Sequence, residues 1–212
     1  MTHPPHRGVF ITLEGIDGAG KTTQFHAVVE TLRAAGRTVV ATREPGGTPI
    51  GESLRALLLS EPMHSATETL LMFAARQEHV LRVIEPALMR GEDVVCDRFT
   101  DATLAYQGGG KGLPVDRLKA LARWVHPGLI PDLTILIDVP VELASQRLRA
   151  QARDADRFER EPTEFFKRVR DQYLALAAAE PSRWAVVNGA RSLDLVGADL
   201  IELLKKRLQL AV

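Results

Sequence analysis

The stretch Phe10-Ile11-Thr12-Leu13-Glu14-Gly15-Ile16-Asp17-Gly18-Ala19-Gly20-Lys21-Thr22-Thr23 constrains this chain more than any other. An apolar, β-branched run enters G-x-x-x-x-G-K-T, and helix-forming residues follow. Strand, glycine-rich turn and helix in that order predict a phosphate-binding loop at the carboxyl end of a buried strand. The glycines let the backbone curl so that successive N–H groups face phosphate oxygens, and the helix opening near Lys21 adds its positive dipole end. Gly15, Ile16, Asp17, Gly18, Ala19, Gly20, Lys21, Thr22 and Thr23 are therefore the expected cradle of a nucleoside triphosphate. Lys21 reaches the β/γ-phosphates and the Thr22 hydroxyl helps to hold Mg²⁺. The competing reading is a strand–helix turn that binds nothing, and the flanking strand and helix argue against it.

Strand-like runs near 8–14, 37–42, 93–97, 132–138 and 184–188 alternate with helical patterns at about 21–35, 49–59, 66–90, 114–125, 141–151, 162–179 and 193–209. That alternation predicts an α/β fold of three layers, a five-stranded parallel sheet flanked by helices. With 212 residues, the chain is long enough for one well-buried domain, expected over 8–212 with a flexible tail at 1–7. Residues 151–161 are dense in charge and poor in aliphatics, which predicts a mobile, arginine-rich connection between two helices. Lys+Arg and Asp+Glu balance at 27 each, so no global field draws in nucleic acid or an anionic membrane. No apolar run approaches the ~18 residues of a membrane helix, and the N-terminus lacks a signal-peptide core. The single cysteine, Cys96, follows Val94-Val95 and reads as a buried strand thiol; the expected compartment is the cytoplasm.

In such a sheet, ligands bind beyond the carboxyl ends of the strands. The second strand ends at Thr42-Arg43-Glu44-Pro45-Gly46-Gly47-Thr48, the third at Asp97-Arg98-Phe99 and the fourth at Asp138-Val139-Pro140. Arg98 offers a planar fork of donors suited to an anionic substrate, and Asp97 can act at the metal through water; a structural ion pair is the alternative. The turn at 43–48 is in part simple turn chemistry, and Arg55 beyond it would project towards the same cleft. On the helix at 66–90, Phe73 and Arg76 share a face. An aromatic beside an arginine suits a planar heterocycle, whereas helical spacing alone makes Phe73 core and Arg76 solvated. Thr103, Tyr106 and Gln107 fall on one helical face, matching the donor and acceptor edge of a pyrimidine with an aromatic crowding the sugar. Gly108-Gly109-Gly110 are expected to end that turn, and a merely capped helix is the alternative. Of Arg147, Arg149, Arg153, Arg157 and Arg160, at least one is expected to reach the transferring phosphoryl group on closure.

Taken in order, Gly15…Lys21-Thr22, Thr42-Arg43-Glu44-Pro45-Gly46-Gly47-Thr48, Asp97-Arg98-Phe99, Ala105-Tyr106-Gln107-Gly108-Gly109-Gly110 and Asp156-Arg157-Phe158-Glu159 resemble bacterial thymidylate kinases, over nearly the whole chain after residue 8. The resemblance implies a P-loop NTPase-type fold, transfer of the γ-phosphoryl group of ATP to dTMP with Mg²⁺, and a homodimer packed through long helices such as 66–90 or 114–125. It implies Arg98 on the acceptor phosphate with Arg43 and Arg55 in support, Glu44 near the sugar and phosphate, and Asp17 at the sugar 3′-hydroxyl or the metal. Arg76, Thr103 and Gln107 would read the thymine edge, with Tyr106 disfavouring a ribose 2′-hydroxyl. Asn188 and neighbouring backbone would border the adenine. Gly18 replaces the loop arginine of eukaryotic-type members, so the catalytic arginine would come from the lid, at Arg153 or Arg157. The family's stacking aromatic stands four residues before the arginine, where this chain has Met72; either Met72 or Phe73 would form the platform. Two other readings stay open: a deoxynucleoside kinase using Glu44 as base, and a nucleotide-binding switch without turnover.

Overall fold

The computed structural model describes residues 7–150 and 156–210. Five strands form a parallel sheet: β1 Phe10–Glu14, β2 Val39–Arg43, β3 Asp93–Asp97, β4 Leu133–Asp138 and β5 Trp184–Asn188, ordered β2-β3-β1-β4-β5. All five residues of β1 are buried, as expected of a strand hydrogen-bonded on both edges and covered on both faces. From β1 the chain builds one side of the sheet and then crosses to the other. The topological switch, where parallel sheets leave a crevice, therefore falls at the loop after β1.

Alternation along β1 assigns its faces. Ile11 and Leu13 pack with Val28, Val29 and Leu32 of helix α1 (Lys21–Ala34). Phe10 packs with Val80, Ile84 and Leu88 on the other side. The remaining helices are α2 (Pro49–Ser60), α3 (Ser65–His79), α4 (Glu85–Met89), α5 (Thr100–Thr103), α6 (Val115–Val125), α7 (Val141–Arg149), α8 (Thr163–Ala179) and α9 (Leu193–Leu208). The predicted 66–90 helix is present but not uniform. Val80–Ile84 form a π-helical turn closed by Glu85 N–H to Val80 O. Pro86, with no N–H to give the preceding turn, follows directly. The second strand starts later than its sequence pattern suggests, and Arg37 ahead of it pairs through its side chain with Asp93. Arg7, assigned to the flexible tail, pairs with Asp132 at 3.0 Å, while the rest of that tail lies outside the described residues.

One expectation is corrected. Gly108-Gly109-Gly110 do not end the turn after Gln107; a π-helical segment, Leu104–Gly110, runs through them. The reason is close packing against α8. A Cβ on Gly109 would lie 2.5 Å from Gln172 Cβ, and one on Gly110 would lie 2.4 Å from Phe165 Cε2. Glycine lets the two backbones approach, and Arg168 of α8 donates to Gly110 O at 2.6 Å.

Candidate active site

A cleft of about 680 Å³ opens over the carboxyl ends of the strands. Its floor is the loop after β1. Gly18, at φ 83°, has its Cα so close to α7 that a Cβ would sit 2.3 Å from Ala144 O. Gly20 caps α1 at φ 90°, so Lys21, Thr22 and Thr23 occupy the helix N-terminus where an anion is favoured. Lys21 is buried, donates to Ile16 O at 3.1 Å and stands 3.9 Å from Asp17 Oδ1. Asp17, Gly18, Gly20, Lys21, Thr22 and Thr23 line the cleft, whereas Gly15, Ile16 and Ala19 shape the loop from beneath.

At the end of β3, Arg98 adopts φ 68°, a left-handed conformation unusual for a side-chain-bearing residue. Its Nη2 donates to Asp17 Oδ1 at 2.7 Å, to Tyr106 Oη at 2.8 Å and to Gly15 O at 3.2 Å. The Tyr106 hydroxyl in turn donates to Asp17 Oδ2 at 2.9 Å. Burial works to raise the Asp17 carboxyl, but the charges of Arg98 and Lys21 outweigh it and hold the group well below the usual carboxylate range. Arg98 Nε is buried without a hydrogen-bond partner. Arg55 lines the same cleft, anchored by Nη1 to Pro45 O at 3.0 Å. Burial and repulsion from Arg43 and Arg98 lower its pKa, the signature of cations gathered where an anion is to sit.

The base of the cleft is built around Arg76, whose side chain is buried, not solvated as helical spacing suggests. Nε donates to Glu44 Oε2 at 2.6 Å, and Nη2 to Thr103 Oγ1 at 3.0 Å and Phe99 O at 3.1 Å. Its Nη1 is buried and unpartnered. His79 holds the other Glu44 oxygen at 3.0 Å. Burial pushes the Glu44 carboxyl up, but Arg76 and His79 bring it below its ordinary value. Met72, Thr103, Tyr106 and Gln107 complete the wall. Phe73 is buried with Ala122 and Val125 of α6, whereas Met72, one residue round the helix, lines the cleft.

Other residues are not where the sequence reading puts them. Arg43 is half exposed and pairs with Glu52 at 2.9 Å, away from the cleft wall. Asp138 does end β4 as expected, and there it pairs with Arg170 at 2.6 Å. Asn188 Oδ1 accepts the Ala190 N–H at 2.9 Å and shapes the turn after β5; Arg191, Ser192 and Leu193 line the cleft instead. Arg157 donates to Glu68 Oε2 at 2.5 Å and to Leu58 O at 3.0 Å, and is not part of the cleft wall in this arrangement. Its neighbours Asp156, Phe158 and Glu159 do line the cleft. Arg153 lies outside the described residues.

The sequence profile described as thymidylate kinase matches residues 13–200. A thymidylate kinase from Methylobacillus flagellatus is 57% identical over 200 residues, covering 94% of this chain and 98% of the relative. One from Bordetella petrii is 61% identical over 194 residues, covering 92% and 93%. The crystal structure of thymidylate kinase from Ehrlichia chaffeensis superposes with a TM-score of 0.77 at 36% identity, covering 93% of this chain and 99% of that one. The chain belongs to the thymidylate kinase family. Its reaction is transfer of a phosphoryl group from ATP to dTMP, giving dTDP and ADP.

Within this family frame, two groups of cleft residues escaped the sequence reading. Arg147 was read only as one of several lid arginines. It donates from Nη1 to Gly189 O at 3.0 Å and so ties the turn after β5 to α7. Arg191 to Leu193 belong to no motif, and only their place after a strand end could have marked them.

The strand leading into the loop carries a titration of its own. Glu14 is fully buried, accepting from Tyr173 Oη at 2.7 Å and from Phe99 N at 2.9 Å. Burial, then the nearby Asp101, push its pKa up from 4.5 to about 8. The folded chain thus binds a proton that the unfolded chain releases. This contribution to stability is complete below about pH 4.5 and is lost as pH rises through 8. The urea midpoint of the wild type is expected to fall over that interval more steeply than that of Glu14→Gln. Parallel pH profiles for the two proteins would remove Glu14 as the source.

Proposed function

We propose that the cleft binds ATP at the loop after β1 and dTMP between Arg98 and Arg76, and that Mg²⁺ and a lid arginine assist transfer. One observation carries the reading: a single cleft joins a phosphate loop, an Arg55–Arg98 cation pair and a buried, unpartnered Arg76 Nη1. Two anions and one carbonyl-bearing ring satisfy those three features together.

The metal fits the donors present. Asp97 Oδ1 is buried without a hydrogen-bond partner, and Asp97 and Thr22 both line the cleft. Among the described residues no cluster of three or more His, Cys, Asp or Glu could cage a metal alone. Hard oxygens from one or two side chains, completed by substrate phosphates, are the usual Mg²⁺ arrangement. Thr22 and Asp97 would hold the ion, directly or through water, with Asp17 close by. When bound, Mg²⁺ neutralises charge on the transferring group.

The chain's own residues do the rest. A phosphate monoester has a second pKa of about 6, so the acceptor oxygen is already ionised near neutral pH. No strong base is required, and Glu44, clamped by Arg76 and His79 with a depressed pKa, is poorly placed to be one. That disfavours the deoxynucleoside kinase reading, which needs Glu44 to take a hydroxyl proton. Lys21 steadies the β/γ-phosphates, while the free Nε of Arg98 aligns the acceptor phosphate. Arg76 Nη1 would donate to a C4 carbonyl. Gln107 would accept from ring N3–H, since its Nε2 is engaged elsewhere. Met72 would face the ring, and the fixed Tyr106 would crowd the sugar.

The deciding test is ADP release with ATP–Mg²⁺ against dTMP, dUMP, CMP, dGMP, AMP and thymidine, repeated with the Mg²⁺ chelated. Turnover is expected to be strongest with dTMP and to vanish on chelation. Preference for thymidine would return Glu44 to the role of base, and silence with every acceptor would leave only a nucleotide-binding switch.

The reading includes a homodimer. Leu70 and Leu81 on the long helix and Trp124 on α6 are exposed apolar side chains on two elements that pack together, which supports an apolar contact there. Light scattering is expected to give twice the 23.3 kDa chain mass, and a mass of one chain at micromolar concentration would overturn this assignment. The nucleotide substrates of this reading put the enzyme in the cytoplasm.

A further inference from the structure

Glu68, in the first turn of α3, is a carboxylate with no exposed surface, and no motif marks it. Three side chains from two other parts of the chain converge on it. Its Oε1 accepts from Gln107 Nε2 at 2.9 Å. Its Oε2 accepts from Lys111 Nζ at 2.8 Å and Arg157 Nη2 at 2.5 Å. Gln107 is itself 2% exposed and lines the cleft.

A glutamine amide is ambidextrous: rotated by half a turn it exchanges a carbonyl acceptor for an NH₂ donor at almost no steric cost. In a buried site that choice fixes which hydrogen-bond edge can be read, because an amide facing the wrong way leaves polar groups unpaired. An ionised carboxylate can only accept. We propose that Glu68 is a positioning residue that sets the polarity of the Gln107 amide, turning the NH₂ away from the substrate and presenting Oε1 to it. Pyrimidines bearing N3–H are thereby accepted, and cytosine, whose N3 is a lone pair, is refused. The two carboxylate oxygens divide the work. Among the described residues Oε1 serves Gln107 alone, so exchange of Arg157 or Lys111 at Oε2 leaves the amide oriented. The inference rests on Gln107 reading the base, as set out above.

Glu68→Gln is the informative change because its effect has a direction. Lys111 and Arg157 are pure donors, so the new amide would turn its carbonyl to them and its NH₂ to Gln107. Gln107 must then reverse and present its own NH₂ to the base. The ratio of kcat/KM for dTMP over dCMP is expected to fall by about tenfold or more, since a pocket built around hydrogen bonds discriminates through them. Glu68→Asp, still acceptor-only, is expected to keep the ratio even where both rates drop. General damage, or a disturbed Arg157, lowers both substrates alike and cancels in the ratio. In a Gln107→Met background, Glu68→Gln should have no further effect on the ratio.

An unchanged ratio in Glu68→Gln, with a collapsed ratio in Gln107→Met, overturns the role of Glu68 and leaves the base reading standing. An unchanged ratio in Gln107→Met overturns both. Should Glu68→Gln fail to fold, the wild-type side-chain amide spectrum decides. The Gln107 NH₂ pair, assigned by its absence in Gln107→Met, is expected to exchange slowly and shift downfield as a carboxylate-bound donor. A fast-exchanging, ordinary amide pair would overturn the proposal.

Discussion

Arg98→Ala is expected to lower kcat/KM for dTMP by roughly 10²–10³-fold, the range seen when a preorganised donor to a reacting anion is removed. The guanidinium connects both halves of the cleft. It holds Asp17 and Tyr106 by Nη2, and its Nε is buried without a partner. Its loss is expected to weaken acceptor binding and to leave the partly buried Asp17 with Lys21, 3.9 Å away, as its ion-pair partner among the described residues. The backbone needs its own control, because Arg98 sits at φ 68° and alanine is strained there. Arg98→Asn tolerates the left-handed conformation while deleting the guanidinium. Equal losses in the two variants assign the effect to the side chain. Kinetics with dTMP that match the wild type in Arg98→Asn would sink the acceptor role.

Arg157→Ala is expected to reduce kcat by tens- to thousands-fold with a smaller change in KM, as for other arginines that meet a phosphoryl group only in the transition state. In the structure Arg157 is bound to Glu68 and Leu58 O, so the proposed role at the phosphates would require it to leave those partners. The docked segment is held as well by Phe158, buried in the main core, while Asp156 Oδ1 fixes the segment's own turn by accepting the Phe158 and Glu159 N–H groups at 2.9 and 3.0 Å. An Arg157 that served only to hold this docked form would, on removal, lower the urea midpoint and leave kcat intact. That outcome would pass the catalytic role to another arginine of the segment.

What the sequence disclosed, and what it hid, follows from the range of each interaction. The loop after β1 and the strands were legible because their signals are local: β-branched runs, glycines and a lysine at fixed spacing. Helical spacing alone could not show Arg76 to be buried, because its partner Glu44 lies 32 residues away on another element. Met72 and Phe73 differ by about 100° around one helix, and only the packing of Phe73 on Ala122 and Val125 decides between them. Arg43 carries the motif, but its pair with Glu52 is set by a residue that no motif marks. The cleft border at Arg191 to Leu193 carried no composition signal. Glu68 was hidden most fully, since its meaning lies wholly in partners 39, 43 and 89 residues away.

The contact between Gly109, Gly110 and α8 bears on how such an enzyme can evolve. With Gln172 Cβ and Phe165 Cε2 already inside the space of a methyl group, neither position has room to drift. Any larger residue there would push away α8, whose Tyr173 and Arg170 brace Glu14 and Asp138 at the ends of two central strands. The segment carrying Thr103, Tyr106 and Gln107 is thus frozen from behind. A lineage adapting to a new base would have to vary the opposite wall, where Met72 borders the cleft and a change of side chain leaves the backbone packing alone.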